Sequence, residues 1–204
     1  KRLAEGEPGS IDLETMLRGM CSKSTFMDLF ENFILFDHSA STTAKILARN
    51  HQYLGVNRAV KAYKNRELKD GKLGVFWHTQ GSGKSYSMVF LARKILRKFA
   101  GSPTFVVVTD RDELDKQIAG TFANCGCMET SDPGSYIATS GEDLIHKLKG
   151  NPSFIFTLIQ KFNDPDVEPI VPDHDVVILC DEAHRTNNGV LAANMCHLLP
   201  TASR

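Results

Sequence analysis

Thr79, Gln80, Gly81, Ser82, Gly83, Lys84 and Ser85 place two glycines, a lysine and hydroxyl groups in an order suited to holding phosphate. Glycine at 81 and 83 opens backbone conformations closed to other residues, so successive N–H groups can converge on phosphate oxygens. A helix pattern beginning near Lys84 adds unpaired N–H groups and the positive end of its dipole. In such a loop Lys84 bridges the β- and γ-phosphates of a nucleotide, and the Ser85 hydroxyl holds Mg2+. The common form of the loop opens on glycine, and here His78 stands in that place. A Gly-Ser turn ahead of a helix with an incidental lysine is the plainer alternative, and the strand pattern before it and helix pattern after it weigh against that.

A second group of chemistry-bearing residues lies 97 positions beyond Lys84, where an apolar run ends in Asp181, Glu182, Ala183 and His184. The end of a buried strand is where open parallel sheets bind ligands, so these carboxylates can be delivered beside the phosphate loop. Asp181 then holds Mg2+, directly or through water, and Glu182 orients and deprotonates the attacking water. Either acid alone could be a solvated strand end.

The elements that must position these groups follow from the hydrophobic pattern. Apolar runs at 73–78, 104–110, 135–139, 154–159 and 175–181 predict strands. Helical periodicity at 84–99, 112–123, 141–149 and 188–199 fills the intervals between them. Unbroken β-branched runs alternating with helices predict an α/β fold with a parallel sheet covered on both faces. Upstream, 11–17 reads as a short helix, Phe26, Leu29, Phe30, Phe33 and Ile34 recur at helical spacing, and 42–66 reads as a longer helix. The stretch 163–175, with three prolines and five acidic residues, is the most loop-like internal segment.

Composition narrows the class. The chain has 204 residues, 42% of them apolar and 24% charged, which excludes a disordered tail, a collagen-like fibre and a coiled-coil rod. No apolar run is long enough to span a bilayer. The net charge is zero, yet residues 1–100 carry 17 basic and 9 acidic side chains and the remainder the reverse bias. Contact with a polyanion is therefore expected to be local. Five cysteines without framework spacing read as reduced thiols, and the seven histidines form no pair spaced for zinc.

The phosphate loop and the Asp-Glu-Ala-His sequence together resemble motifs I and II of superfamily 2 helicases and translocases. More narrowly, GVFWHTQGSGKS, VVVTDRDELDKQI, TSGEDLIHKL, FIFTLIQKF and VVILCDEAHRTNNG resemble the motor (restriction) subunit of type I restriction-modification enzymes. The similarity runs over most of 26–204 and accommodates His78, Thr79 and Gln80 ahead of the loop. It implies a RecA-like first motor lobe over 46–204 and a helical linker over 1–45 that follows a nuclease domain absent from this sequence. It also implies a cytoplasmic bacterial or archaeal endonuclease and hydrolase that uses ATP and Mg2+ to translocate double-stranded DNA before cutting it. Its partners are then the modification and specificity subunits, with no membrane involved.

Further residues take roles from the same resemblance. Gln52 sits where related motors read adenine, an edge on which an amide can both donate and accept. A Gln on a helix surface is the alternative. Thr109 and Arg111, with Thr157, Gln160 and Lys161, occupy the DNA-contacting motifs of the family. Arg111 could equally pair with Asp112 or Asp115, and Lys161 could be a plain surface charge. His184 is expected to couple nucleotide state to lobe closure. The arginine that stabilises developing charge in two-lobed motors comes from the second lobe, so this stretch alone is expected to hydrolyse ATP poorly. Other readings stay open here: another superfamily 2 helicase, a non-catalytic nucleotide-binding scaffold, or a phosphate-loop kinase.

Overall fold

Thr104–Thr109 (β3) is buried along its whole length, which only a central strand covered on both faces achieves. The computed structural model describes residues 13–79, 81–128, 132–181 and 189–204. In it β3 lies between Phe154–Leu158 (β4) and Val176–Cys180 (β5), parallel to both. Phe105 faces Phe154 and Val177, while Val108 faces Thr157 and Cys180.

Side-chain alternation then divides the core in two. Phe105 and Val107 point to the face covered by Asn50–Lys64 (α3), Lys84–Lys98 (α4) and Asp112–Asn124 (α5). Val56, Phe90, Ile95, Ile118 and Phe122 fill that side. Val106 and Val108 point the other way, onto Leu144 and Leu148 of Gly141–Lys149 (α6) and Met195 and Leu198 of Val190–Leu198 (α7). This is the α/β arrangement the hydrophobic pattern predicts, and no helix among the described residues is long and apolar enough to cross a membrane.

Three expectations need correction. The run 73–78 is not a strand and gains a ladder hydrogen bond only at its start, where Leu73 N–H donates to the Arg204 carbonyl (2.5 Å). Its only ladder neighbour among the described residues is the segment at 203–204. Ser203 pairs with Val177 of β5, and Arg204 N–H reaches the Gly71 carbonyl (2.7 Å). Residues 71–73 thus extend the sheet beyond β5 in the parallel sense, and Val75 and Trp77 stand 78% and 83% exposed. The run at 135–139 begins in a 3-10 turn (Pro133–Tyr136) and forms a single bridge, from Ile137 to Phe156.

The third correction lies upstream. Leu13–Met20 (α1) and Lys23–Asn32 (α2) are helices, but Ile34–Asp37 (β1) and Ala44–Leu47 (β2) form an antiparallel hairpin where helix was expected. Phe33 and Leu35 are fully buried while Phe36 is 53% exposed, a period of two that the helical reading of Phe26 to Ile34 overran. Both buried residues join the core that covers Phe105 and Val107, so the segment before α3 is packed against the sheet domain.

Candidate nucleotide site

The phosphate loop owes its shape to its two glycines. Gly81 and Gly83 have φ of 75° and 85°, the left-handed region that a side chain disfavours. Gly83 is also the N-cap of α4, and a Cβ there would come within 3.0 Å of Gln52 Nε2. Lys84 and Ser85 are the first two residues of α4, half-buried at the positive end of its dipole.

The first turn of α3 clamps this loop through two consecutive residues. His51 Nε2 lies 3.2 Å from the Ser82 carbonyl, which only accepts, so that nitrogen carries the proton. Gln52 is 3% exposed and donates from Nε2 to the Gly83 carbonyl (2.9 Å) and to Ser87 Oγ (3.3 Å). Its Oε1 accepts from Arg49 N–H (2.8 Å). Both ends of the amide that was expected to read adenine are therefore engaged within the protein, and Gln52 braces the loop in this structure. Replacing it with alanine strands the Arg49 N–H and loosens the Gly83 carbonyl, at a cost of about 1–3 kcal/mol in a urea unfolding titration. A loss below that range would make the brace dispensable.

Asp181 follows β5, and its N–H donates to the Val108 carbonyl (2.9 Å). Residues 71–73 run parallel to β5 across the 203–204 segment, and Asp181 leaves the sheet at its carboxyl edge. Gln80, Glu182 and His184 lie outside the described residues.

Two orphaned polar atoms test whether the loop suits a polyanion. His78 Nδ1 and Ser82 Oγ are buried with no hydrogen-bond partner among the described residues. Such a group costs about 1–3 kcal/mol when left unpaired, which an incoming ligand can recover. His78 is packed between the ring of Phe76, 4.2 Å away between centroids, and that of His51, 4.6 Å away and edge-on. Desolvation, reinforced by His51 and Lys84, pushes its imidazole below the usual histidine range. Neither His51 nor the orphaned state of His78 was signalled by the sequence, beyond the substitution at 78 itself.

The residues expected to meet DNA divide into two groups. Thr109 and Thr157 are both 0% exposed at the ends of their strands, so neither hydroxyl reaches the surface in this structure. This corrects the expectation that they present side chains to a phosphate. Arg111 and Gln160 are exposed, and Gln160 Nε2 donates to the Asp110 carbonyl (3.0 Å). Arg111 Nε lies 3.7 Å from Asp110 Oδ2, so its acidic neighbour is Asp110 and neither Asp112 nor Asp115. Lys161 Nζ donates to the Ala138 carbonyl and is turned inward. Asp115, offered by the sequence only as a partner for Arg111, is fully buried.

Comparison with known proteins gives the family. Residues 51–204 match the SWI2/SNF2 ATPase family. The chain is 36% identical over 189 residues to the type I restriction enzyme HindI endonuclease subunit of Haemophilus influenzae, covering 87% of this chain and 18% of that protein. It is 34% identical over 201 residues to the putative type I restriction enzyme MjaIXP endonuclease subunit of Methanocaldococcus jannaschii, covering 94% and 18% respectively. The chain thus spans under a fifth of the length of these relatives, 18% in each case.

Proposed function

Because the chain belongs to the SWI2/SNF2 ATPase family, we propose that it is the ATP-binding first motor lobe of a type I restriction endonuclease subunit. On this reading the parent translocates double-stranded DNA by ATP hydrolysis before cutting it, in a cytoplasmic complex with modification and specificity subunits. The observation that carries the nucleotide assignment is the left-handed Gly81–Gly83 loop at the start of α4.

In the proposed mechanism Lys84 and the loop N–H groups bind the β- and γ-phosphates. Ser85 and Asp181 are the residues that hold Mg2+, which when bound neutralises charge developing on the phosphates. Glu182 orients the attacking water and takes its proton, while His184 links nucleotide state to lobe closure. Arg111 and Gln160 meet the DNA backbone without reading bases, as suits a motor that tracks along any sequence. A lobe of this kind acting alone binds nucleotide but turns it over slowly, for want of the arginine from the second lobe.

The test is calorimetric titration of Mg·ATP into the wild-type chain and Lys84→Ala, alongside steady-state turnover. The lysine's charge-assisted hydrogen bonds predict a loss of about tenfold to a hundredfold in affinity. Equal affinity in the two proteins refutes the assignment, and rapid turnover by this chain alone refutes the requirement for a second lobe.

A further inference from the structure

An α-helix leaves the N–H groups of its first turn without partners inside the helix, so that turn is held by its surroundings or it frays. In α4 this turn carries Lys84 and Ser85, and Ser87 N–H closes the first helical bond, onto the Gly83 carbonyl (3.1 Å). One hold comes from α3, where His51 and Gln52 meet the carbonyls of Ser82 and Gly83. A second comes from the upstream hairpin. Tyr86, the residue after Ser85, donates its hydroxyl to Asp37 Oδ2 at the end of β1. Asp37 Oδ1 accepts from Ser39 N–H (2.8 Å), so both carboxylate oxygens are engaged, and the residue is 6% exposed. The Tyr86 hydrogen bond, aided by Ser39, holds the Asp37 carboxyl below the usual carboxylate range against the opposing effect of burial. The same bond, together with burial, pushes the Tyr86 hydroxyl up to about 12, so it keeps the proton it donates.

The hairpin has no need of a charge here to stay in place. Phe33 and Leu35 already anchor it in the core, and an apolar side chain at the third alternate position, 37, would cost less to bury than a carboxylate. What the carboxylate adds is direction: a hydrogen bond fixes the rotation of the turn it grips, whereas apolar packing is non-directional. Polar contacts also hold the far end of the same helix, where Lys94 meets Asp28 and Arg97 donates to the Glu31 carbonyl of α2. We propose that Asp37 is a positioning residue for the nucleotide site: acting through Tyr86, it sets the first turn of α4 in the orientation that aims Lys84 and Ser85 at bound Mg·ATP. The proposal rests on the nucleotide-binding reading above. It makes the β1–β2 hairpin a working part of the site, with Asp37 itself touching no nucleotide.

The experiment titrates Mg·ATP calorimetrically into wild type, Tyr86→Phe, Asp37→Ala and Asp37→Asn, with a urea unfolding curve for each. Phenylalanine keeps the ring and removes only the hydroxyl, and asparagine keeps an acceptor for it. Tyr86→Phe and Asp37→Ala are each expected to bind about tenfold more weakly than wild type, the lower end of what a hydrogen bond to a charged group is worth, since His51 and Gln52 still hold the loop. Asp37→Asn is expected to recover most of that loss. The double variant Tyr86→Phe with Asp37→Ala should bind no worse than either single one, because both remove the same bond. Tyr86→Phe and Asp37→Ala binding as tightly as wild type, whatever their urea midpoints, while Lys84→Ala binds weakly, would show a bond that serves the fold alone; that overturns the proposal and leaves the nucleotide site standing. Wild type binding no better than Lys84→Ala removes the nucleotide site and the proposal with it. Should Asp37→Ala fail to fold, amide hydrogen exchange in Tyr86→Phe decides. Faster exchange at Ser87, with that at 91–96 unchanged, supports the assignment, and unchanged exchange at Ser87 overturns it.

Discussion

Replacing Lys94 with alanine lowers the unfolding free energy of the chain by about 3–5 kcal/mol, because it leaves a carboxylate without its counter-charge inside the helical layer. Lys94 is 4% exposed on α4, with Nζ 2.5 Å from Asp28 Oδ1 of α2 and 2.6 Å from Asn57 Oδ1 of α3. The ammonium also lies 4.7 Å above the Phe33 ring centre. Asp28 accepts from Asn32 Nδ2 (2.9 Å) and Asn57 Nδ2 (3.3 Å) besides. Three helices are thereby joined at one point, and one of them begins with the phosphate loop.

Burial by itself would raise the Asp28 carboxyl, and the hydrogen bonds and charge of Lys94, aided by Asn32 and Asn57, bring it below the ordinary carboxylate range. An acid with a depressed folded-state pKa contributes stability that is present above its unfolded pKa and lost as pH falls through the folded one. The wild-type chain is accordingly expected to lose this contribution in acid, below about pH 4. Burial also lowers the Lys94 ammonium below the usual lysine range, so desolvation is incompletely offset. The double variant Lys94→Met with Asp28→Leu should therefore recover most of what Lys94→Ala loses. Urea unfolding of the three proteins at neutral pH measures both effects. A loss under 1 kcal/mol for Lys94→Ala would show the pair to be a solvated contact.

What could be read in advance followed from how completely each segment is enclosed. β3 and β5 were legible because strands covered on both faces must be apolar at every position, and Phe105 to Val108 and Val176 to Ile178 are. The phosphate loop was legible because positive φ at 81 and 83 all but demands glycine. The β1–β2 hairpin was not, since its alternation buries Phe33, Leu35 and the charged Asp37 over only a few positions, and it follows directly on a helical spacing of apolar residues. The run 73–78 was read as a full strand from its own residues, whereas a ladder also depends on its neighbour, which reaches only Leu73. Gln52 was picked out for its amide, but which atoms that amide meets is set by the Gly83 carbonyl, 31 residues away. Thr109 and Thr157 were picked out by motif position, while their burial depends on what packs over the strand ends.

Asp115 belongs with the features no local pattern reveals, and it gives the largest pH effect expected of this fold. It is 0% exposed on α5, and neither carboxyl oxygen has a hydrogen-bond partner among the described residues. Desolvation pushes it up to about 6, Asp112 adds to the rise, and Lys161 and Lys116 oppose it. For an acid raised on folding the linkage runs opposite to that of Asp28. The unfolded chain ionises more readily, so folding is favoured most below the unfolded pKa of about 4, and that advantage disappears as pH rises through about 6. The displacement is worth about 3 kcal/mol at pH 8. Asp115→Leu, which keeps the branch at Cγ, is expected to stabilise the chain by about 2–3 kcal/mol at pH 8 and by far less near pH 4, where wild type is already neutral. Asp115→Asn should gain less, because an unpartnered amide remains in the same enclosed place. Urea midpoints for the three proteins across this range test the idea. Parallel pH curves for wild type and Asp115→Leu would mean that the carboxyl keeps its charge on folding, and that Lys161 and Lys116 supply more compensation than their present positions provide.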